Sequence, residues 1–223
     1  MSGAGVAGAD LAGRRLLVSA GPTFEDIDPV RFIGNRSSGK MGFAIAEAAA
    51  RRGAQVTLVA GPVSLPTPAG VRRIDVRSAR QMREAVIGAL PADAYIGAAA
   101  VADYAPAEVA PGKIKKKDEQ LTLALVRTPD ILAEVAVHAQ RPTVVVGFAA
   151  ETHDVEFYAR GKLEKKRVDL IAANRVGVAG SGFESDDNAL TVYWADGERA
   201  LGPAPKTELA DRLLDLILER WPA

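Results

Sequence analysis

The amino-acid sequence predicts an α/β fold with a doubly wound, mainly parallel sheet and helices on both of its faces. Short apolar runs rich in Val, Ile, Leu and Ala alternate with segments of helical periodicity. Hydrophobic residues make up 48% of the chain but aromatic residues only 5%, so the core is aliphatic. A length of 223 residues fits one such domain. We expect that domain over residues 14–223, after a flexible Gly- and Ala-rich leader or linker remnant over residues 1–13.

Six short apolar runs are predicted as the parallel strands. They are bounded by Gly, Pro or charged residues, as buried strands usually are. These runs cover residues 15–19, 55–60, 71–76, 94–100, 143–148 and 168–173. Residues 188–194 and 199–201 follow as a hairpin around the turn at Asp196 and Gly197.

Helices are predicted between and after these strands. The first begins near Lys40 and ends at Gly53, a residue type that suits a helix C-terminus. Ser78 is placed to cap the second, and either Thr128 or Asp130 to begin the third. The helices cover residues 40–52, 78–90, a segment from 128 or 130, 155–167 and 206–220. This order is Rossmann-like, and ligands of such sheets bind beyond the carboxyl ends of the strands.

Residues 34–42, Gly-Asn-Arg-Ser-Ser-Gly-Lys-Met-Gly, join an anion-binding type of loop to an apolar helix. Small residues at a helix start let backbone N–H groups approach an anion, and the helix dipole favours negative charge there. The spacing of Gly34 and Lys40 approaches that of a P-loop, but Met41 replaces the Ser or Thr that would hold magnesium. The segment predicts a phosphate or carboxylate site. A loop that only begins a packed helix is the alternative.

Further candidate residues follow the later strands. Asp103, after a run of small residues, can accept hydrogen bonds, and the lysines of 113–117 form a candidate flap over a polyanion. Phe148 can stack on a ring, and Lys162 and Lys166 share one helix face. The structural alternatives are a packed strand with a capping aspartate, a core phenylalanine and solvated lysines.

Composition excludes several classes of function. The absence of cysteine excludes disulfides, thiolate metal sites and cysteine nucleophiles. Lys plus Arg equals Asp plus Glu at 28 each, so no net charge attracts nucleic acid or membrane, and no apolar run approaches the ~20 residues of a membrane span. His138 and His153 lack metal-ligand spacing, and no Ser/His/Asp arrangement is apparent. We expect a cytoplasmic protein that binds neither nucleic acid nor membrane.

The ordered motifs together resemble the phosphopantothenoylcysteine synthetase family of the bacterial, CTP-using type. The resemblance extends over nearly the whole chain from about Arg15, which makes it more specific than any one loop. The motifs are 19–23 (SAGPT), 27–31 (IDPVR), 35–42 (NRSSGKMG), 99–104 (AAVADY), 113–116 (KIKK), 129–131 (PDI), 147–152 (GFAAET) and 187–188 (DN).

The resemblance implies a two-step ligation. The carboxylate of 4′-phosphopantothenate attacks the α-phosphorus of CTP to give an acyl-cytidylate and pyrophosphate, and the amine of L-cysteine then displaces CMP. Mg²⁺ would bridge the phosphates of CTP and be held mainly by them. The resemblance also implies a homodimer, with residues 121–126 and 190–194 as the β extension, and fusion to a flavin-dependent decarboxylase that this sequence does not contain.

Site residues carried over from the resemblance fall into three groups. Asn35, which would hold the acyl-cytidylate carbonyl, and Lys113, on the flap, are the implied catalytic residues. Phosphopantothenate would contact Asn35, Arg36, Ser37, Ser38, Gly39, Lys40 and Gly42. The nucleotide would contact Ala99, Ala100, Asp103, Lys113, Pro129, Asp130, Ile131, Leu132, Phe148, Lys162 and Lys166.

Three other functions compete with this interpretation. A nicotinamide-dependent oxidoreductase is disfavoured because strand one lacks a following Gly-x-Gly-x-x-Gly and strand two ends at Ala60 and Gly61 rather than at an acidic residue. A P-loop kinase is disfavoured by Met41. A non-catalytic nucleotide-binding module would bind CTP without consuming it.

Overall fold

A computed structural model describes residues 9–116, 119–176 and 186–222 of the chain. Its strands are β1 (Arg15–Ala20), β2 (Phe24–Asp26), β3 (Phe32–Gly34), β4 (Gln55–Ala60), β5 (Val71–Asp75), β6 (Ala94–Gly97), β7 (Tyr104–Pro106), β8 (Leu125–Arg127), β9 (Val144–Glu151), β10 (Leu170–Arg175), β11 (Asp187–Asn188), β12 (Thr191–Trp194), β13 (Gly197–Ala200) and β14 (Ala204–Pro205). Its helices are α1 (Lys40–Arg51), α2 (Ala79–Gly88), α3 (Ile131–Ala136), α4 (Val155–Lys166) and α5 (Lys206–Glu219).

The central sheet has eight strands in the order β13-β12-β10-β9-β6-β1-β4-β5. Every neighbouring pair from β5 to β10 is parallel, and β12 and β13 add to the β10 edge in antiparallel orientation. The chain runs from β1 outward to β4 and β5 and then returns to place β6 on the other side of β1. The strand order therefore reverses between β1 and β6, where a doubly wound sheet opens a crevice for ligands.

Each face of the sheet is covered by its own helices, so the predicted doubly wound α/β class is confirmed. Alternate residues of β1 point to opposite faces, with Val18 in one core and Leu17 in the other. The first core is completed by Phe43, Ile45, Ala49, Leu213 and Ile217 of α1 and α5. The second is completed by Met82, Val86, Val135, Ala159 and Leu163 of α2, α3 and α4.

Helix α1 packs unusually closely on β1 at Gly42. A Cβ added at Gly42 would lie 3.2 Å from Cα of Ala20 and only 2.4 Å from its Cβ, a distance that side chains do not tolerate. The glycine is thus required by packing, whatever contact with a ligand it makes. The close approach brings the first turn of α1 directly beyond the end of β1.

Several boundaries differ from the sequence-based expectation. The strand predicted over 94–100 ends at Gly97, although the N–H groups of Ala98 and Ala100 still donate to the carbonyls of Ser19 and Gly21, and Ala100 forms an isolated parallel bridge with Pro22. Strand β9 extends to Glu151, beyond the predicted end at 148, because β10 continues as its parallel partner as far as Arg175. The hairpin of β2 and β3, which the sequence did not predict, is covered by stacked Phe24 and Phe32 rings 4.0 Å apart.

The two segments expected to form a separate β extension are placed differently from each other. Strand β12, within 190–194, lies between β10 and β13 in the central sheet, so it belongs to the domain's own core. Of the segment 121–126, only Leu125 and Val126 are in a strand, and β8 pairs with β7 outside the main sheet. The β7–β8 hairpin is therefore the part that remains available as an extension.

Residues 10 and 11, which fall in the predicted leader, pack on the domain. Leu11 is 1% exposed and belongs to the first core, and the Asp10 carboxylate lies 2.6 Å from the Arg52 guanidinium. Among the residues that the structure describes, no helix has both the length and the apolar character needed to cross a membrane.

The packing of α1 on β1 can be tested with two helical glycines. Gly42→Ala should lower the free energy of unfolding by up to about 2 kcal/mol, because overpacking costs about 1–3 kcal/mol and alanine returns at most ~1 kcal/mol as a better helix former. Gly161→Ala in α4 is the matched control, because a Cβ there meets nothing within 4 Å. It should raise the free energy of unfolding by about 0.4–1 kcal/mol.

Urea denaturation of the two variants measures both effects. Equal changes in unfolding free energy would show that the contact with Ala20 does not constrain α1.

Candidate active site

A cavity of about 810 Å³ opens where the strand order reverses, at the carboxyl ends of β1, β6, β9 and β10. The lining side chains from the described residues include two carboxylates, Asp103 and Asp130, and seven cations. The cations are Arg36, Lys40, Arg127, Lys162, Lys165, Lys166 and Lys206. A concave site with this excess of positive charge suits a ligand that carries several negative charges.

Nearly all of the residues predicted for the site line this one cavity. From the loop and α1 these are Asn35, Arg36, Ser37, Ser38, Gly39, Lys40 and Gly42. From the other strand ends and helices they are Ala99, Ala100, Asp103, Pro129, Asp130, Ile131, Leu132, Phe148, Lys162 and Lys166. The sequence therefore predicted the location of the cavity, although the role of each residue stays a prediction.

The N-terminus of α1 forms one wall. Gly39 is the N-cap residue with φ of 77°, a left-handed conformation that glycine adopts readily, and it has no side chain with which to cap the helix. The first backbone N–H groups of a helix have no partner within it, so this end offers donors and a positive dipole to an anion. Ser37 adds a hydroxyl that accepts a weak hydrogen bond, 3.4 Å long, from the N–H of Gly39.

Asn35 connects this wall to the segment after β6. Its side-chain amide donates to the carbonyl oxygens of Ala100 and Val101 at 3.1 and 3.2 Å. Thr23 also fixes this segment, because its hydroxyl accepts a hydrogen bond from the N–H of Ala102 at 3.0 Å. The Asn35 amide is thus oriented by the backbone, and it could stabilise a developing oxyanion only by exchanging one of these two acceptors.

Two lysines of α4 form the opposite wall with the start of α3. Asp130 caps α3 by accepting from the N–H of Ala133 at 3.1 Å, and its other contact is the Lys166 ammonium at 3.0 Å. The Lys162 ammonium lies 3.7 Å from Glu151. Both lysines are less than one-third exposed, so these carboxylates fix their positions beside the cavity.

Leu132 occupies a hollow between two strands. Gly97 of β6 and Gly147 of β9 are register partners, and neither has a side chain to fill the space above them. A Cβ at Gly147 would lie 2.5 Å from Cδ2 of Leu132, and one at Gly97 would lie 3.4 Å from Cδ1 of the same leucine. Gly147 therefore sets how closely α3 approaches the sheet, whereas a Cβ at Gly97 would make only an ordinary contact with Leu132.

Lys113 is the predicted residue that does not line the cavity. The next residue, Ile114, is tied elsewhere: its N–H donates to the Asp28 carboxylate at 3.1 Å and its carbonyl accepts from Arg31 at 2.9 Å. Asp28 has a fully buried side chain, and hydrogen bonding from Arg31 holds its carboxyl pKa far below the usual range. The Lys113 segment is thus anchored to the β2–β3 hairpin.

Several cavity residues were not predicted as site residues from the sequence. Ser19 and Tyr95 share a 3.0 Å hydrogen bond across β1 and β6, and burial raises the pKa of Tyr95 to about 12, which keeps it protonated at neutral pH. Asn174 and Asn188 approach each other at 3.4 Å. Ser19 and Asn174 lie near carboxyl ends of strands, so the topology rule could have found them. Lys206, at the start of the last helix, gave no such signal.

No group of three or more His, Asp or Glu side chains within the described ranges is arranged to hold a metal ion. The two cavity carboxylates come from different walls, and Asp130 already pairs with Lys166. This donor set fits a cation that brings most of its oxygen ligands with a phosphorylated substrate.

Comparison with known proteins identifies close relatives. The sequence profile of the DNA/pantothenate metabolism flavoprotein C-terminal domain matches residues 11–220. The coenzyme A biosynthesis bifunctional protein CoaBC of Vibrio parahaemolyticus is 54% identical over 212 residues, which cover 94% of this chain and 53% of that protein. CoaBC of Escherichia coli K12 is 53% identical over 216 residues, with 95% and 53% covered. The chain thus spans about half the length of these relatives.

A solved structure agrees with the sequence comparison. The crystal structure of the C-terminal domain of a coenzyme A biosynthesis bifunctional protein CoaBC superposes with a TM-score of 0.79 at 42% identity, covering 94% of this chain and 96% of that one. The resemblance drawn from the motifs is confirmed at the level of fold and family. The chain belongs to the family of DNA/pantothenate metabolism flavoprotein C-terminal domains.

Proposed function

We propose that this chain is a phosphopantothenate–cysteine ligase domain that acts in coenzyme A biosynthesis. The carboxylate oxygen of 4′-phosphopantothenate attacks the α-phosphorus of CTP, and the bond to pyrophosphate breaks. The amine of L-cysteine then attacks the acyl carbonyl of the acyl-cytidylate and loses a proton, and CMP leaves. The observation that carries the proposal is the cavity with seven cations and two carboxylates, in a chain whose relatives are bifunctional coenzyme A biosynthesis proteins.

This chemistry needs no protein nucleophile. Both attacking groups belong to substrates, so the protein has to align them, neutralise phosphate charge and exclude water. The absence of cysteine and of a catalytic triad is compatible with that requirement. Side chains already fixed before substrate binds are the most effective for it, because their reorganisation costs little free energy.

We assign CTP to the wall formed by α3 and α4. Lys162 and Lys166 would neutralise its triphosphate, and Phe148 with residues 129–132 would surround the nucleoside together with Asp103 and the small residues Ala99 and Ala100. Mg²⁺ would bridge phosphate oxygens and reduce their mutual repulsion. Lys113 would have to move to reach the triphosphate, and the exposed position of its segment leaves room for that.

We assign 4′-phosphopantothenate to the wall formed by α1. Its phosphate would accept hydrogen bonds from the backbone of residues 36–42, and its carboxylate would extend toward Asn35. The alternative assignment places the triphosphate at α1, where the same N–H groups and lysine would bind it. The paired variants below distinguish the two assignments.

We also propose that the domain forms a homodimer through its two outer hairpins. Five large apolar side chains of these hairpins are 45–59% exposed: Val30 in the β2–β3 loop, Phe32 in β3, Tyr104 in β7, and Leu125 and Val126 in β8. Large apolar side chains exposed together on neighbouring hairpins are typical of an interface. The relatives are bifunctional proteins of which the matched part is about half, and the motif resemblance implies that the other part is a flavin-dependent decarboxylase.

Pyrophosphate release tests the reaction as a whole. With CTP and Mg²⁺, release should require 4′-phosphopantothenate and become multiple-turnover when L-cysteine is added. A non-catalytic nucleotide-binding module, the second candidate, would bind CTP but release no pyrophosphate under any combination of substrates.

Asn35 can be tested in the second half-reaction. Asn35→Asp should leave the burst of pyrophosphate intact and slow amide formation by about a hundredfold or more, the usual effect of losing an oxyanion donor. Rapid-quench measurement of acyl-cytidylate and product separates the two steps. Asn35→Ala is the companion variant, since it removes the donor without adding charge. Normal amide formation by Asn35→Ala would exclude Asn35 as an oxyanion donor.

The two walls can be assigned with paired variants. Lys162→Gln should raise KM for CTP about tenfold and leave KM for 4′-phosphopantothenate within twofold, as expected for one charge-assisted contact. Lys40→Gln should show the opposite pattern, so each variant controls for the other. Steady-state kinetics with the second substrate saturating measures both constants. An exchange of the two patterns would reverse the assignment of the walls.

A further inference from the structure

Two lysines and an aspartate meet at the border of the proposed active site. Lys40 and Lys206 both line the main cavity, and together with Asp186 they also line a second cavity of about 520 Å³ beside it. The Lys40 ammonium lies 2.6 Å from the Asp186 carboxylate. The main chain adds a further link, because the N–H of Lys206 donates to the carbonyl oxygen of Asp186 at 3.0 Å.

These three residues differ sharply in exposure. Asp186 has an 89% exposed side chain and Lys40 a 36% exposed one, whereas Lys206 is only 6% exposed. Burial, and after it the charge of Lys40, lowers the pKa of Lys206, while Asp186 acts in the other direction. Lys40 in turn lowers the pKa of Asp186. Because Lys40 and Lys206 line the same two cavities, two positive charges border one partly desolvated space, and an anion in that space is favourable.

Lys40 and Lys206 both lie at helix N-termini, the ends of helices that attract anions. Lys40 is the first residue of α1, and Lys206 is the first residue of α5. The positive ends of two helices thus coincide with two ammonium groups at one wall of the cavity. A phosphoryl dianion could accept hydrogen bonds from both lysines and from the backbone of α1. The exposed carboxylate of Asp186 has fewer oxygens and less charge, so it cannot make as many of these contacts.

We propose that Lys40 and Lys206 jointly bind a substrate phosphoryl group at the N-terminus of α1, and that Asp186 is an internal counter-ion which this group displaces. The exposed Asp186 carboxylate can return to water on displacement, whereas buried Lys206 cannot follow it. The assignment of the phosphoryl group to a substrate rests on the proposed function; the anion site itself does not.

Inorganic phosphate is the probe, and no turnover is needed. Asp186→Asn should tighten phosphate binding three- to tenfold by calorimetric titration, because the competing carboxylate is gone. Lys206→Gln should weaken it at least tenfold, and Lys206→Met, which keeps the stem of the side chain, serves if the first variant unfolds. Glu47→Gln is the matched control: it removes one charge from the second cavity without touching either lysine, and should change binding less than twofold.

Opposite signs for the aspartate and lysine variants are the expected result. Weaker phosphate binding by Asp186→Asn, or an effect equal to that of Glu47→Gln, would overturn the proposal. Competition then identifies the natural source of the phosphoryl group: 4′-phosphopantothenate or CTP with Mg²⁺ should displace the bound phosphate. If neither does, the site is separate from the reaction and the proposal is refuted. If phosphate binds as expected but pyrophosphate release fails, the proposed function is refuted and the anion site is retained.

Discussion

The close packing of α1 on β1 at Gly42 is the constraint on which the rest of the site depends. Because no side chain separates the helix from Ala20, the first turn of α1 lies at the end of the strand where the sheet order reverses. The first turn of α1, whose N–H groups have no acceptor within the helix, then lines the cavity, and Lys40 belongs to the same turn. A helix displaced by even one methyl group would carry these donors away from the crevice.

The positive charges of three lysines in the cavity are partly neutralised by carboxylates of the same chain. Lys166 rests on Asp130, Lys162 lies near Glu151, and Lys40 contacts Asp186. Each pair fixes an ammonium group before a ligand arrives and limits repulsion among the cations. The partners differ in burial and in distance, so they also differ in how easily a phosphate can replace them. An anionic ligand enters a site whose positive groups are already oriented.

The sequence predicted the sheet and the cavity well because both follow from short-range patterns. Apolar runs defined the parallel strands, and the rule that ligands bind beyond their carboxyl ends brought Asp103, Phe148 and the loop at Gly39 together. The β2–β3 hairpin was missed because its three-residue strands are stabilised by stacked aromatic rings rather than by an apolar pattern. The position of Lys113 depends on the long-range hydrogen bond that the N–H of Ile114 donates to Asp28, and that of Lys206 depends on docking of the last helix; no local pattern encodes either.

The hollow above Gly147 links three distant parts of the chain, because Leu132 of α3 and Ile171 of β10 both approach this glycine of β9. Both side chains fit there only while position 147 has no side chain, so a larger residue at that position would require smaller ones at Leu132 and Ile171. Substitutions at these three positions should not contribute independently to stability. In evolution, the three residues beneath the proposed nucleotide site would therefore be substituted together or stay unchanged.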